Sequence, residues 1–70
     1  MIEIRIKDEY IKLGQLLKLA GLAGSGLEAK TDILNGDVLL NGNIELQRGK
    51  KIYPGDTVEF NGEKIIVKGN

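Results

Sequence analysis

Ile2, Ile4 and Ile6 alternate with Glu3, Arg5 and Lys7. A period of two with β-branched residues on one side predicts a half-buried strand. After Asp8-Glu9-Tyr10 the period changes. Leu13, Leu16, Leu17 and Ala20 recur at helical spacing, Lys12 and Lys18 flank that face, and Gly21 stands in the C-cap position. Leu22 to Gly26 is a tight connection. Ser25 fits the N-cap of a second helix, with Glu28 three residues on completing a capping box. Ala29, Ile33 and Leu34 are its expected buried stripe, Leu27 lies near its start, and Asn35-Gly36 ends it. Helices this short do not persist alone, so the pattern requires them to pack.

The rest reads as β. Val38-Leu39-Leu40 and Asn43 to Leu46 flank Asn41-Gly42, a strong two-residue hairpin signal. Gln47 to Lys51 is a polar, basic loop, and Ile52-Tyr53 lead into a Pro54-Gly55-Asp56 turn. Thr57 to Phe60, a second Asn-Gly turn at 61–62, and Glu63 to Lys68 predict another hairpin. No linker, low-complexity tract or repeat interrupts the chain. The order β-α-α-β-β-β-β predicts an α+β fold: two short packed helices (a helix-loop-helix) against a small, mostly antiparallel sheet, in one domain spanning residues 1–70.

Composition removes several classes of function. Ten basic side chains face ten acidic ones, with no histidine and no cysteine. A disulfide framework, a Cys/His zinc site, a cysteine nucleophile and a histidine general base are all excluded. Apolar residues make up 41% of the chain, enough for a folded globule, but the aromatics are Tyr10, Tyr53 and Phe60 alone, so Leu, Ile and Val must build the core. A core of this size supplies about 3–5 kcal/mol and leaves little room for a deep pocket. The expectation is a small, monomeric, non-catalytic surface-binding module without metal or cofactor. No apolar run exceeds three residues and no cleavage signal is visible, so no membrane segment is expected and cytoplasm is the expected location.

The zero net charge means that a claim of nucleic-acid binding must rest on where the charges sit. Residues 47–53 carry Arg48, Lys50 and Lys51 with no acid, and Gly49 lets the backbone bend so that the cations converge on phosphate oxygens. The alternative is a solvated loop that keeps a hairpin soluble. Ser25-Gly26 opens a helix and offers free N–H groups to an anion. Taken alone, a plain N-cap is the stronger reading, and Glu28 favours it because a carboxylate there competes with phosphate. Lys30 lies early in the same helix, where a cation is poorly placed for the helix dipole; that misfit hints at function, against the commoner reading of an ordinary surface lysine. Lys18, late in the first helix, needs no such explanation. The acids form no catalytic constellation, and Gly21, Gly24 and Gly26 do not make a phosphate-binding fingerprint.

The order of residues adds what no single one carries. Leu16-Leu17-Lys18-Leu19-Ala20-Gly21-Leu22-Ala23-Gly24-Ser25-Gly26-Leu27-Glu28-Ala29-Lys30 resembles the helix-loop-helix of the alpha-L RNA-binding motif. That motif is the domain of ribosomal small-subunit protein S-four, found also in pseudouridine synthases, a class of tyrosyl-tRNA synthetases and heat-shock RNA-binding proteins. Ile33, Gly36-Asp37-Val38, Asn41-Gly42, the basic loop and Pro54-Gly55-Asp56-Thr57-Val58 continue the likeness, which runs from about Leu13 to Phe60. The chain is most similar to the short stand-alone bacterial members of YaaA/YbcJ type.

The resemblance implies an RNA-binding surface made of both helices and the loop after the first hairpin. By position it implicates Lys18, Ser25, Gly26, Lys30, Arg48, Lys50 and Lys51. Three departures stand out. Gly14-Gln15-Leu16 replaces the Arg-Leu-Asp common at the first helix, Ala29-Lys30 replaces Ala-Arg, and Arg48-Gly49-Lys50 replaces a Pro-Ser. Lysine keeps charge at position 30 but loses the bidentate fork. The implied partner is structured RNA, rRNA or tRNA, with the ribosome or ribosome-associated proteins nearby. With so few aromatics, recognition of backbone and shape is expected over base stacking, and Tyr10 and Tyr53 read as rim residues of the core. Glu3, Glu59 and Glu63 are expected on the opposite sheet face. Two other readings remain: a protein-interaction module using a strand edge at 2–7 or 63–68, and a β-grasp sulfur carrier, against which Lys68-Gly69-Asn70 stands in place of a Gly-Gly end.

Overall fold

The computed structural model describes residues 1–70. The alternating start forms β1 (Ile2–Ile6), and the helical spacing gives α1 (Leu13–Leu19) and α2 (Gly26–Leu34). Between β1 and α1 lies a two-residue strand, β2 (Ile11–Lys12). Then come β3 (Val38–Leu40), β4 (Asn43–Ile44), β5 (Lys51–Ile52), β6 (Thr57–Phe60) and β7 (Glu63–Gly69). Five strands form one sheet in the order β1-β7-β6-β3-β4, and β2 pairs with β5 in a separate antiparallel ribbon. Every pair in the large sheet is antiparallel except β1 with β7, where Ile2, Ile4 and Ile6 run alongside Ile65, Val67 and Gly69. The architecture is α+β with a mostly antiparallel sheet, as the element order predicts.

Local chemistry explains the boundaries. Both helices end in the same six-residue hydrogen-bond pattern. Gly21 takes φ +77° while its N–H donates to the Lys18 carbonyl, and the Leu22 N–H reaches back to Leu17. Gly36, at φ +79°, repeats this with Ile33, and Asp37 with Asp32. Asn35 itself stays in the right-handed region, so the glycine alone supplies the reversal. At the start of α2, Ser25 Oγ accepts the Glu28 N–H at 3.2 Å. The Glu28 carboxylate accepts from the N–H of Gly24 instead of Ser25, so the expected box closes one residue earlier.

The core lies between the helices and one face of the sheet. Leu13, Leu16 and Leu17 from α1 and Ala29 and Ile33 from α2 meet Val38, Ile52, Val58, Ile65 and Val67, all fully buried. No polar side chain is buried, so the core pays no desolvation cost that needs a partner.

Several expectations are corrected. Leu34 does not join the buried stripe and is 60% exposed. It lies five residues beyond Ala29, about 140° around a helix, whereas Ile33 falls back onto the buried face. The strand expected at 43–46 stops at Ile44; Glu45 N–H still donates to the Val38 carbonyl at 3.0 Å, and Gln47 N–H then turns back onto the Glu45 carboxylate at 3.1 Å. β7 is not an edge, since β1 and β6 flank it; the edges are β1 and β4. Glu63 pairs with Phe60 and so shares the register of the core-facing residues, not the outer face. Glu3 and Glu59 do lie on the outer face, but each pairs with a cation, Arg5 at 3.6 Å and Lys64 at 3.7 Å.

Candidate nucleic-acid interface

The loop between β4 and β5 is fastened to the start of α1. No side chain caps that helix. Two orphan donors of its first turn are met by the loop backbone: Leu13 N–H donates to the Lys50 carbonyl at 2.9 Å and Gly14 N–H to the Arg48 carbonyl at 3.0 Å. The β2–β5 ribbon, pairing Ile11 with Ile52 and Lys12 with Lys51, clamps the same junction. Neither ribbon strand is legible from periodicity, because two residues have no period. Their effect is to dock the basic loop against α1.

Gly14 permits a closer approach still. An ideal Cβ at this position would stand 2.7 Å from Arg48 Cγ and 3.3 Å from Cδ. The stem of Arg48 therefore lies in the notch that a missing side chain leaves. Gly14 is the departure from the family pattern at the first helix, and the space it frees is filled by an arginine from another element.

Arg48 thus borders a shallow groove of about 300 Å³ lined by Lys12, Gly14, Gln15, Lys18, Gly26 and Gly49 as well. Its charged members are Lys12, Lys18 and Arg48; no carboxylate and no apolar side chain lines it. None of these three cations takes part in an ion pair, whereas the pairs that exist lie on the outer sheet face. Three unpaired cations around glycine backbone, of which Gly49 is exposed and Gly26 half-buried, form a seat for an anion with several oxygens.

The seven residues implicated from sequence are divided by the structure. Lys18, Gly26 and Arg48 come together in the groove. Lys30 lies one helical turn past Gly26, on the same flank of α2, and is exposed. Ser25 is exposed, with its hydroxyl engaged as the helix cap. Lys50 and Lys51 do not converge with Arg48. They border a second depression of about 590 Å³ with Gln47, Tyr53 and Asp56, and Gly49 lies between the two hollows and lines both. Sequence reasoning missed Lys12 and Gln15 as groove members. Helical spacing was the available signal for Gln15, which stands three residues before Lys18 on the exposed side of α1. The acids of α2, Glu28 and Asp32, line a hollow on the opposite flank with Leu22, Leu27 and Thr31. Lys30 and Arg48 are therefore not separated by the carboxylates of that helix.

A family model for the S4 domain matches residues 4–68. The chain belongs to the S4 domain family. Among curated S4 relatives, it is 46% identical over 59 residues to the Bacillus subtilis (strain 168) protein named "Probable ribosome maturation protein RlbA", covering 84% of this chain and 83% of that one. It is 39% identical over 61 residues to YbcJ of Escherichia coli (strain K12), covering 87% of each chain. The solution structure of E. coli YbcJ, which reveals an alpha-L motif involved in RNA binding, superposes with a TM-score of 0.75 at 36% identity, over 97% of this chain and 87% of that one. The S4 fold foreseen from the helix-loop-helix is therefore the fold of this chain. No helix is long and apolar enough to cross a membrane.

Proposed function

We propose that this S4-family chain is a non-catalytic RNA-binding protein, acting as one domain in the cytoplasm on structured RNA of the ribosome or of tRNA type. The observation that carries this reading is the groove between α1, the start of α2 and the 47–50 loop, where Lys12, Lys18 and Arg48 surround glycine backbone without a carboxylate. Phosphate oxygens need charge and donors and little shape, which is what that groove offers. Lys30 extends the same flank along α2, Lys50 and Lys51 extend it across Gly49, and Ser25 contributes by fixing where α2 begins. Arg48, with its stem held in the Gly14 notch, is the residue best placed to grip a phosphate with two donors. The names of the relatives support the class of ligand: one involved in RNA binding, one in ribosome maturation.

The test is charge reversal on two faces. Lys18→Glu with Arg48→Glu should abolish retention of ribosomal RNA while circular dichroism stays unchanged. Lys64→Glu with Lys68→Glu, on the outer sheet face, should leave retention intact. Equal losses from both pairs would mean that the groove has no special part. Association with ribosomal particles that survives both pairs and nuclease treatment would favour a protein partner instead.

A further inference from the structure

Tyr10 and Tyr53, separated in sequence by both helices and the first hairpin, meet beside the basic loop. Their ring centroids are 6.0 Å apart with planes tilted by 54°. Lys51 Nζ stands 4.8 Å from the Tyr10 ring centroid, within cation–π range. Tyr10 is half-buried and borders a different hollow, whereas Tyr53 is 42% exposed and lines the 590 Å³ depression.

The Asn41–Asp56 side of that depression is tied together by hydrogen bonds. Tyr53 N–H donates to Asp56 Oδ2 at 2.8 Å, Asn41 Nδ2 donates to Asp56 Oδ1 at 3.1 Å, and Thr57 N–H donates to Asn41 Oδ1 at 2.9 Å. Asp56 and Asn41 are therefore committed to the fold. The side-chain amide of Gln47 and the ammonium of Lys50 have no partner within the protein. The hollow is thus lined by a tyrosine, a free amide and two lysines together with the Asp56 carboxylate. A phosphate beside Asp56 would be repelled whereas a neutral ring would not, so anionic groups belong beside the lysines.

We propose that this depression is a subsite for one unpaired nucleotide of the bound RNA. The base stacks on Tyr53, its edge meets Gln47, and the phosphates beside it lie on Lys50 and Lys51. The inference rests on the RNA-binding reading above and adds a preference that the groove alone does not have. A base inside an A-form stack shows no face to a tyrosine, so the subsite selects RNA with a base out of the stack. Stacking of one base on one aromatic changes affinity by about tenfold.

The experiment compares two RNA duplexes of the same sequence, one fully paired and one carrying a single bulged adenine, titrated into the full chain. The chain has two tyrosines and no tryptophan, so its intrinsic tyrosine emission reports on this pair alone. The bulged duplex should bind about tenfold tighter and quench that emission more than the paired one. Tyr53→Leu, which keeps apolar bulk but no π face, and Tyr53→Ala should each bring the two affinities together, and Tyr53→Phe should keep them apart. Equal affinities for wild-type protein, or a gap that survives both Tyr53→Leu and Tyr53→Ala, would overturn the subsite and leave the groove standing. Failure of the wild-type chain to bind either duplex would overturn both.

Discussion

Gly14 and Arg48 act as one device. The Arg48 carbonyl is held by the Gly14 N–H at 3.0 Å, so the loop backbone cannot retreat, and a Cβ at position 14 would strike the near stem of the arginine rather than its mobile end. Gly14→Ala therefore forces Arg48 into another χ1 rotamer and takes the guanidinium out of the groove. Intrinsic propensity works the other way: alanine is favoured over glycine by roughly 0.5–1 kcal/mol in a helix interior, and by at most that at Gly14, the second residue of α1. Gly14→Ala should weaken RNA binding about as much as Arg48→Ala, by about tenfold for a lost charged contact. The double variant should bind no more weakly than Arg48→Ala and melt above it. Anisotropy titrations and thermal melts of the four proteins check this cycle; additive losses in affinity would mean that the two residues act separately. Nothing in the sequence links positions 14 and 48. The basic loop was legible as composition, but its division into two hollows depends on backbone bonds to α1 that no local pattern encodes.

At the scale of elements, the sequence was most informative where a period or a turn residue repeats. Both Asn-Gly hairpins appear as read, with Asn41 at φ +50° and Asn61 at +53°. Asn41 does more than turn the chain: its amide ties β6 and Asp56 to the hairpin at both ends. Asn41→Ala loses two hydrogen bonds and keeps an unfavourable φ, a cost of about 1–3 kcal/mol. A drop in melting temperature of roughly 5–15 °C is expected for a domain this small, and a drop near zero would show that the network is not holding the corner. The neighbours Ile33 and Leu34 give a second contrast. Ile33→Ala empties a fully buried site and should cost about 2–5 kcal/mol, comparable to the whole stability of the fold. Leu34→Ala, at an exposed site, should stay within about 0.5 kcal/mol. Urea melts separate the two. Hydropathy alone does not distinguish these adjacent residues; only the angle around the helix does.

Across the whole molecule the cations are unevenly placed: Arg5 and Lys64 are paired on the outer face of the sheet, whereas Lys12, Lys18 and Arg48 stand without an ion-pair partner around α1 and the loop. Arg5 and Lys64 face Glu3 and Glu59, exposed pairs that contribute little to stability but leave no strong field on that side. The groove cations have no such neighbours. A neutral total thus coexists with a local positive field, a distribution that composition could not reveal and alternation hinted at only for Glu3 and Arg5. The aromatic pair was invisible for the same reason as the Gly14 notch, since its members meet only once β2 and β5 have paired.

The most direct test is the salt dependence of RNA binding, measured for the wild-type chain and for a triple variant with Lys12, Lys18 and Arg48 each changed to Gln. With about five phosphates engaged, log K against log salt should fall with a slope of roughly −3.5 to −4.5, and the triple variant should be shallower by about 2–3. A wild-type slope near zero, or one that the triple substitution leaves unchanged, would contradict the groove as the place where RNA is held.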